Sequence, residues 1–206
     1  MKLDHFAWAT SSLDKGVAEF VRLGGPTAAF GGSHSGQGTC NALASLGEGI
    51  YLAIDAPDPA QEQKGTYGEV LGQLHGFDLN VFAVACDDLR PVMEVMRSHR
   101  IDCDIAEKSR VRPDGVELKS SVLEIPRHSY GKVMPHFMQW HTPEHPSLTA
   151  PAGCTLADFW VEHPEPEDLL QFYGSFGLET PVRPGSVPKL AVTLVGDKGE
   201  FMLPTV

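Results

Sequence analysis

Three stretches of the chain repeat one pattern of apolar and polar positions. Each begins with alternating apolar residues, continues with a short polar cluster and ends with apolar residues three and four positions apart. Alternation is typical of a half-buried strand, and the three-four spacing is typical of an amphipathic helix. The stretches start at Leu3, Leu79 and Leu156, so that the separations are 76 and 77 residues. This nearly constant period predicts a repeated structural unit.

The first copy carries clear local signals for a strand followed by a helix. Phe6 and Trp8 alternate with smaller residues, as expected for a strand that is covered on one face. Ser11 or Ser12 can cap the helix that follows. Gly-Gly-Pro at residues 24–26 ends this helix, because glycine and proline are both frequent just after a helix.

Strand-like segments follow each helix, so that the unit is a strand, a helix and three strands. The sequence therefore predicts an α+β fold. Two βαβββ modules, at residues 2–60 and 77–146, are expected to pair into a half-barrel with a cavity, within a domain that spans 1–150. A third βαβββ-like module at 151–206 is left over, and its apolar face needs a cover. It packs either on the first two modules or on a partner chain.

Composition and charge limit the classes of function. The net charge of −11 and the pI of about 5.2 argue against nucleic acid as a partner, since binding a phosphate backbone needs a basic face. No apolar run is long enough to cross a membrane, and the N-terminus does not resemble a secretory signal. A cytoplasmic protein with no membrane partner is therefore predicted. Its cysteines lack zinc-site spacing and are expected to be reduced thiols: Cys40, Cys86, Cys103 and Cys154.

The stretch GGSHSGQGTCN, at residues 31–41, combines glycines with chemically active side chains. It lacks the GK[ST] of a phosphate-binding loop and its flanks are strand-like, so that a hairpin is predicted. His34 and Asn41 are candidate cavity residues. Cys40 could act as a nucleophile with His34 as its base, whereas a free buried thiol is the simpler interpretation.

Several motifs in a fixed order resemble the vicinal oxygen chelate superfamily, and within it the glyoxalase-like domain group. They are LDH at 3–5, GGSHSGQGTCN at 31–41, YLAIDAPDP at 51–59, RVRPDGVEL at 110–118 and MPHFMQWHTPEHP at 134–146. The resemblance implies paired βαβββ modules. It leaves the reaction open, because the superfamily includes isomerising lyases, ring-cleaving dioxygenases, epimerases and drug-sequestering proteins. The group has a histidine where this chain has Cys40.

The resemblance also implies metal ligands on the first and last strands of each module. His5 occupies the first such position, and Ala53 stands where a glutamate is expected. Aligning ACDDL with ATSSL places Val81 opposite His5, and aligning the following TP and AP pairs places Gln139 opposite Ala53. With one good ligand, His5, and one weak ligand, Gln139, either no cofactor or a single divalent metal ion is predicted.

Strand alternation divides residues 136–141 between two faces. His136 and Met138 share one face, and Gln139 and His141 share the other. If Gln139 faces the cavity, His141 does so too and His136 does not. The sequence therefore favours His5, Gln139 and His141 in one pocket, although a single β-bulge would reverse this register.

Other side chains are candidates for contact with a substrate. Arg110 and Arg112 share one face of a strand and could hold a carboxylate in a forked contact, with an exposed surface pair as the alternative. Aromatic residues are expected to line or underlie the cavity, although core packing explains them equally well. The predicted substrate-binding residues are Trp8, Cys40, Asn41, Arg110, Arg112, Phe137, Gln139 and His141.

The sequence thus predicts a glyoxalase-like protein that binds a small polar organic molecule. It could be a lyase or isomerase that acts next to a carbonyl group, with His5 and His34 as catalytic residues. The alternative is a non-catalytic binding or sequestering protein with a degraded metal site, which Ala53 favours; a structural protein with a filled cavity is a third possibility. The expected partners are a small-molecule ligand and a second copy of the chain, in a homodimer.

Overall fold

The computed structural model describes residues 1–112 and 114–206 of the chain. Four α-helices and twelve strands are present in these residues, together with short 3-10 turns at Gly131–Val133 and Pro146–Leu148. In chain order the elements are β1 Lys2–Thr10, α1 Leu13–Leu23, β2 Ala29–His34, β3 Thr39–Ser45, β4 Tyr51–Pro57, α2 Tyr67–Gly72, β5 Phe77–Ala85, α3 Arg90–Ser98, β6 Asp104–Val111, β7 Glu117–Glu124, β8 His136–Trp140, β9 Thr155–His163, α4 Pro166–Ser175, β10 Val182–Pro184, β11 Lys189–Gly196 and β12 Gly199–Met202.

The first eight strands form one curled sheet in the order β2-β3-β4-β1-β5-β8-β7-β6. In each half the first strand pairs in parallel with the last, β1 with β4 and β5 with β8. The halves join through the antiparallel β1–β5 pair. This arrangement confirms the predicted α+β fold and its half-barrel. No helix among residues 1–112 and 114–206 is long and apolar enough to cross a membrane.

The curl of the sheet brings its two edge strands, β2 and β6, close together. Gly32 has a φ of 130°, and a Cβ atom there would lie 3.2 Å from the carbonyl oxygen of Val111. A larger residue would therefore be strained and crowded, which explains a glycine at this point of the predicted hairpin. The hairpin itself is confirmed, because β2 and β3 pair in antiparallel fashion across residues 35–38.

Two local predictions have different outcomes. Ser12 precedes α1, but its side chain makes no capping hydrogen bond. Gly24 ends this helix with a φ of 122°, and its N–H donates to the carbonyl oxygens of Phe20 and Val21, as in a common C-terminal cap. The predicted RVRPDGVEL hairpin connects β6 and β7, whose antiparallel pairing begins at Val111 and Glu117. Pro113 of its turn lies outside the described residues.

The C-terminal segment covers the outer, convex face of the curled sheet. Phe159 on β9 packs against Phe6 and Phe82, with ring centroids 4.8 and 5.1 Å apart. The indole N–H of Trp8 donates to the carbonyl oxygen of Pro204 over 2.8 Å. The main hydrophobic core therefore lies between this face and the second sheet.

The third copy of the sequence pattern has the same element types but a different strand pairing. Its sheet has the order β10-β9-β11-β12, so that β9 pairs in parallel with β10 and not with the last strand. Strand β10 spans only Val182–Pro184. A proline precedes it and another is its last residue, and these limit its length because proline has no N–H to donate to a ladder. The longer β11 and β12 form a hairpin on the other side of β9.

Candidate functional site

A cavity of about 910 Å³ occupies the concave face of the curled sheet. Both modules contribute to its wall. His5, Ala7, Ala53 and Asp55 come from β1 and β4, and the second module contributes Val81, Ala83, His136 and Met138 from β5 and β8. These residues alternate with side chains that enter the hydrophobic core on the opposite face, as the pleat of a strand requires.

Strand pairing shows which positions of the two modules are equivalent. The 76-residue period matches His5 with Val81 and Ala7 with Ala83. Ala7 pairs with Ala53 on β4, and Ala83 pairs with His136 on β8. The equivalent of Ala53 is therefore His136.

The predicted match between Gln139 and Ala53 is wrong for a structural reason. It relied on the short TP and AP pairs that follow the last strands. The register is instead set by the pairing of β8 with β5, and residues 125–135 before β8 are mostly irregular in structure. Sequence motifs beyond a strand end carry no information about such a shift.

The predicted facing of β8 is also reversed. His136, Met138 and Trp140 line the cavity. Gln139 pairs with Ser121 on the other face, and the His141 ring lies 2.7 Å from the Ser121 hydroxyl through its Nε2 atom. The structure therefore separates Gln139 and His141 from His5. It brings His136 on β8 level with His5 on β1, because Ala83 on the intervening strand β5 pairs with both.

The four positions expected to hold metal ligands carry His5, Ala53, Val81 and His136. Only the two imidazoles can coordinate a metal ion, whereas protein sites normally supply three or more donors. No group of three or more histidine, cysteine, aspartate or glutamate side chains that could hold a metal occurs in the described part of the chain. The donor set at these positions therefore does not fit a resident metal ion.

Asp4 is the centre of a buried hydrogen-bond network behind the cavity wall. A β-bulge at Asp4 interrupts the β1–β5 pairing, which allows Asp4 to approach the side chain of the next residue. Its Oδ1 atom lies 2.6 Å from His5 Nδ1, and its Oδ2 atom accepts from Trp140 Nε1 and His145 Nε2 over 2.8 and 3.0 Å. Burial opposes its charge, but these hydrogen bonds hold the pKa of Asp4 well below its usual range.

This network fixes the tautomer of His5. An ionised Asp4 can only accept, so that His5 Nδ1 is the donor and, in the neutral ring, Nε2 carries the lone pair. His5 lines the cavity, and its ring stacks on Tyr51 with centroids 4.5 Å apart. A histidine oriented by a buried carboxylate and exposed on one side to a cavity is an arrangement suited to proton transfer.

His34 is part of a second network, at the β2–β3 hairpin. Arg110 donates to Asn41 Oδ1 over 3.0 Å, which directs the Asn41 amide N–H to His34 Nε2 over 3.1 Å. His34 Nδ1 then donates to Thr39 Oγ1 over 2.9 Å. Burial first, and then the charge of Arg110, lower the pKa of His34 to about 4. Both ring nitrogens are occupied, so that this neutral histidine positions its neighbours and is not available as a base.

Asp55 is a cavity residue that the sequence analysis missed. It faces Asn41 across the β3–β4 pair and lines the cavity. Burial raises its pKa to about 7, against the opposing influence of the Asn41 amide and of Arg110. Its position was accessible in principle, because alternation places it on the same face as Ala53, which the metal alignment had identified.

Two predicted aromatic contacts belong mainly to the core. Trp8 is fully buried and stacks on Phe77, with ring centroids 4.5 Å apart. Phe137 forms part of the cavity wall, but its ring is fully buried and packs against Phe176 at 5.1 Å. The alternative that core packing explains these rings therefore accounts for their contacts.

Cys40 and Arg112 lie apart from the large cavity. The Cys40 thiol is buried with its Sγ 3.8 Å from the carbonyl oxygen of Pro57, and burial raises its pKa to about 11. A thiol in this state is a poor nucleophile. Arg112 forms an ion pair with Asp114 and lines a separate cleft of about 200 Å³. Arg110 and Leu118 line both the cleft and the large cavity.

Comparison with known proteins identifies the family. A family model described as glyoxalase-like domain matches residues 3–176. No curated protein matches the chain. A hypothetical protein from Staphylococcus aureus has a similar structure, with a TM-score of 0.69, 12% identity and coverage of 100% of this chain and 99% of that one. The Mn(II)-bound glyoxalase from Novosphingobium aromaticivorans has a TM-score of 0.50, with 10% identity and coverage of 98% and 81%.

A further structural match is methylmalonyl-CoA epimerase from Mycobacterium tuberculosis, with a TM-score of 0.46, 18% identity and coverage of 68% of this chain and 86% of that one. At these identities, the two solved structures with TM-scores of 0.69 and 0.50 establish similarity of fold alone. The family model covers most of the chain and agrees with the paired βαβββ modules. The chain therefore belongs to the glyoxalase-like domain family.

Proposed function

We propose that this protein binds a small polar organic molecule that contains a carbonyl group and catalyses proton transfer at the adjacent carbon, as a lyase or isomerase. The observation that carries the proposal is the Asp4–His5 pair. A buried carboxylate, 3% exposed, holds the Nδ1 proton of a histidine whose ring lines the cavity. His5 is thereby kept in the tautomer that a general base needs.

The residues of this chain divide the reaction between them. His5 Nε2 removes the proton from the carbon next to the carbonyl, and Asp4 stabilises the imidazolium that forms. Arg110 supplies positive charge and N–H groups in the same cavity, where they can hold an anionic group of the substrate. His34 and Asn41 hold Arg110 in place through their hydrogen bonds. Because the expected ligand positions lack two donors, no step of this reaction passes through a metal ion.

Exchange of substrate hydrogen with solvent tests this proposal. The protein is incubated in D₂O with a panel of small 2-oxo acids and hydroxyketones, and loss of the carbon-bound hydrogen is followed by ¹H NMR. His5→Gln should slow enzyme-dependent exchange by roughly 10²–10⁴-fold, the usual contribution of a general base. The control His128→Gln changes another imidazole of the same cavity and should leave exchange nearly unchanged. Equal exchange in His5→Gln and the unchanged protein would contradict the proposal.

A non-catalytic binding or sequestering protein is the second candidate. Ala53 and Val81 at two ligand positions are the observation that favours it, since they leave the cavity with fewer reactive groups. In that case the protein would bind members of the panel tightly, chelators would not affect binding, and no exchange above the buffer rate would occur with any of them.

Assembly and location are also proposals. We propose a homodimer, supported by the unpaired edge of β12 and the exposed Val195 and Met202 at the second sheet. Light scattering should give twice the chain mass of 22.3 kDa, and a monomer mass at micromolar concentration would contradict it. A cytoplasmic location is supported by the four cysteines, all of which are free thiols.

A further inference from the structure

Asp55 has a carboxylate oxygen that the fold leaves without a partner. Its Oδ1 atom is buried and makes no hydrogen bond within the described residues. Two other buried side-chain atoms share this property, Gln63 Oε1 and Asn80 Oδ1. Of the three residues, Asp55 is the one that lines the large cavity. A buried acceptor without a partner is costly, so that a donor supplied by a ligand would be stabilising.

The neighbours of Asp55 on adjacent strands cannot complete its hydrogen bonds. Ala9 pairs with it on β1 and has no polar side-chain atom. Asn41 pairs with it on β3, but that amide accepts from Arg110 and donates to His34. The Asn41 amide favours the charged form of Asp55, and the Oδ1 atom still makes no hydrogen bond within the described residues.

Arg110 contributes hydrogen-bond donors on the other side of Asn41 from the acceptor Asp55. One of its N–H groups donates to Asn41, and the remaining donors have no other hydrogen-bond partner within residues 1–112 and 114–206. The side chain is half-buried at the edge where β6 approaches β2, and it lines the cavity. This corner of the cavity therefore presents an unpaired acceptor and a fixed set of charged donors, separated by one amide group.

We infer that this corner binds the head group of the ligand, a carboxylate with a hydroxyl or ammonium group on the adjacent carbon. The carboxylate is held by Arg110 in a charge-assisted hydrogen bond. The hydroxyl or ammonium donates to Asp55 Oδ1. The inference rests on the proposed function, because it names the class of substrate for the same cavity.

The distance along the sheet assigns recognition and reaction to different ends of the ligand. Asp55 pairs with Ala9, whereas His5 lies four residues earlier on the same strand. At the usual rise per residue this is about 13 Å. The head group therefore binds at the Asp55 end of the cavity, and the reacting carbonyl lies toward His5.

The charged and titratable groups around Asp55 are consistent with this assignment. Arg110 is a permanent cation, and His34 is neutral because its pKa is lowered. Tyr51, Tyr67 and Cys40 are uncharged, since the pKa of each is raised. An ammonium group that donates to Asp55 would meet a carboxyl group that can ionise near neutral pH, because its pKa is raised to about 7.

Three matched head-group fragments test the inference: butyrate, 2-hydroxybutyrate and 2-aminobutyrate. Dissociation constants are measured by calorimetry or ligand-observed NMR at pH 8. The 2-hydroxy or the 2-amino compound should bind at least about tenfold tighter than butyrate, as expected for a satisfied buried acceptor. Asp55→Leu should abolish this preference and leave butyrate affinity within about threefold. Arg110→Gln should weaken all three compounds about tenfold or more.

Controls separate this inference from the proposed function and from misfolding. Asp104→Asn changes another carboxylate of the same cavity and should alter none of the three affinities. His5→Gln should retain the preference, because binding needs no proton transfer. If Asp55→Leu does not fold, Asp55→Asn should weaken the 2-amino compound more than the 2-hydroxy compound. A preference that is absent from the unchanged protein, or that survives in Asp55→Leu, would overturn the inference, whatever the outcome of the exchange experiment.

Discussion

The two modules of the curled sheet differ on one face and agree on the other. On the outer face the equivalent residues Phe6 and Phe82 are both fully buried phenylalanines in contact with Phe159. On the cavity face, four pairs of equivalent strand positions differ in polarity, and in three of them the first module carries the polar residue. The equivalent pairs are His5 and Val81, Asn41 and Val122, Asp55 and Met138, and, with the polarity reversed, Ala53 and His136.

This difference shows which demands act on each face. The outer face must pack against the second sheet, and close packing tolerates little change in volume. The cavity face has no such partner, so that its residues can change without disturbing the core. One repeated backbone therefore carries different polar groups at equivalent positions: the proposed base His5 belongs to the first module, and Arg110 and His136 belong to the second.

The largest expected effect compares the two β-bulges that the modules place at equivalent points, Asp4 and Asn80. Asp4→Ala leaves the buried donors of His5, Trp140 and His145 without their acceptor, and should lower the free energy of unfolding by about 3–5 kcal/mol. Asn80→Ala removes one hydrogen bond to Tyr67 together with an unpaired buried oxygen, and should cost about 1 kcal/mol or less. Urea denaturation measures both values. Similar losses in the two variants would show that the Asp4 network is not special.

The next prediction compares the pH dependence of stability in variants of Asp55 and of its equivalent, Met138. The pKa of Asp55 rises from 3.8 to about 7 on folding, so that its ionisation destabilises the folded chain progressively between these values and fully above them. Asp55→Asn should remove this penalty. We therefore compare the change in unfolding free energy from pH 4 to pH 8 in the two proteins. This change should be more favourable in Asp55→Asn than in the unchanged protein by up to about 4 kcal/mol.

His34 makes the opposite contribution to the pH dependence of the unfolding free energy. Its pKa falls from 6.5 to about 4 on folding, so that it reduces stability as the pH drops through this range. In Asp55→Asn this dependence should become visible as a loss of stability on acidification. Met138→Leu, at the equivalent position, should leave the pH profile unchanged. An unaltered profile in Asp55→Asn would contradict the assignment of Asp55 as a group that titrates near neutral pH.

A third comparison introduces metal-ligating side chains at the two expected ligand positions that lack them. The double substitution Ala53→Glu and Val81→His would place four donors around the cavity together with His5 and His136. We expect stoichiometric zinc or manganese by elemental analysis, and a stabilisation of about 2.7 kcal/mol at a hundredfold excess over the dissociation constant. Adding His5→Ala should reverse both effects. Failure of the double variant to bind metal would show that these positions do not converge.

The smallest effect is expected at Cys40, whose equivalent in the second module is Ser121. Cys40→Ser copies that residue into the first module and should cost about 1 kcal/mol of stability. Exchange activity and ligand binding should not change, because the thiol is buried and its pKa is raised to about 11. A loss of activity in the folded variant would restore Cys40 as a candidate nucleophile.

Much of the fold follows from the sequence because the strand and helix patterns repeat at a fixed period. The period predicted the paired modules and, through Leu3 and Leu79, the equivalence of β1 and β5. It could not predict the register of β8, which depends on pairing with β5 after an irregular segment. Nor could it predict the parallel partner of β9, which depends on the shortness of β10.

The candidate site was predictable only in part. His5 was identified from its strand position, and the structure places it in the cavity. Its orientation by Asp4 depends on a β-bulge, and residues adjacent in sequence on a regular strand would point to opposite faces. Asp55 was missed because its importance lies in an unpaired oxygen, and no sequence pattern reveals a missing hydrogen bond. His136 was excluded by the incorrect register.

The cover over the outer face has a consequence for how this chain can be shortened. A fragment that ends after Ala150 would retain both modules and every residue of the cavity wall. It would also expose the rings of Phe6 and Phe82 to water and deprive the Trp8 indole of its acceptor, Pro204. Such a fragment is expected to aggregate on expression, so that the last quarter of the chain acts as a built-in solubilising lid for the part that carries the chemistry.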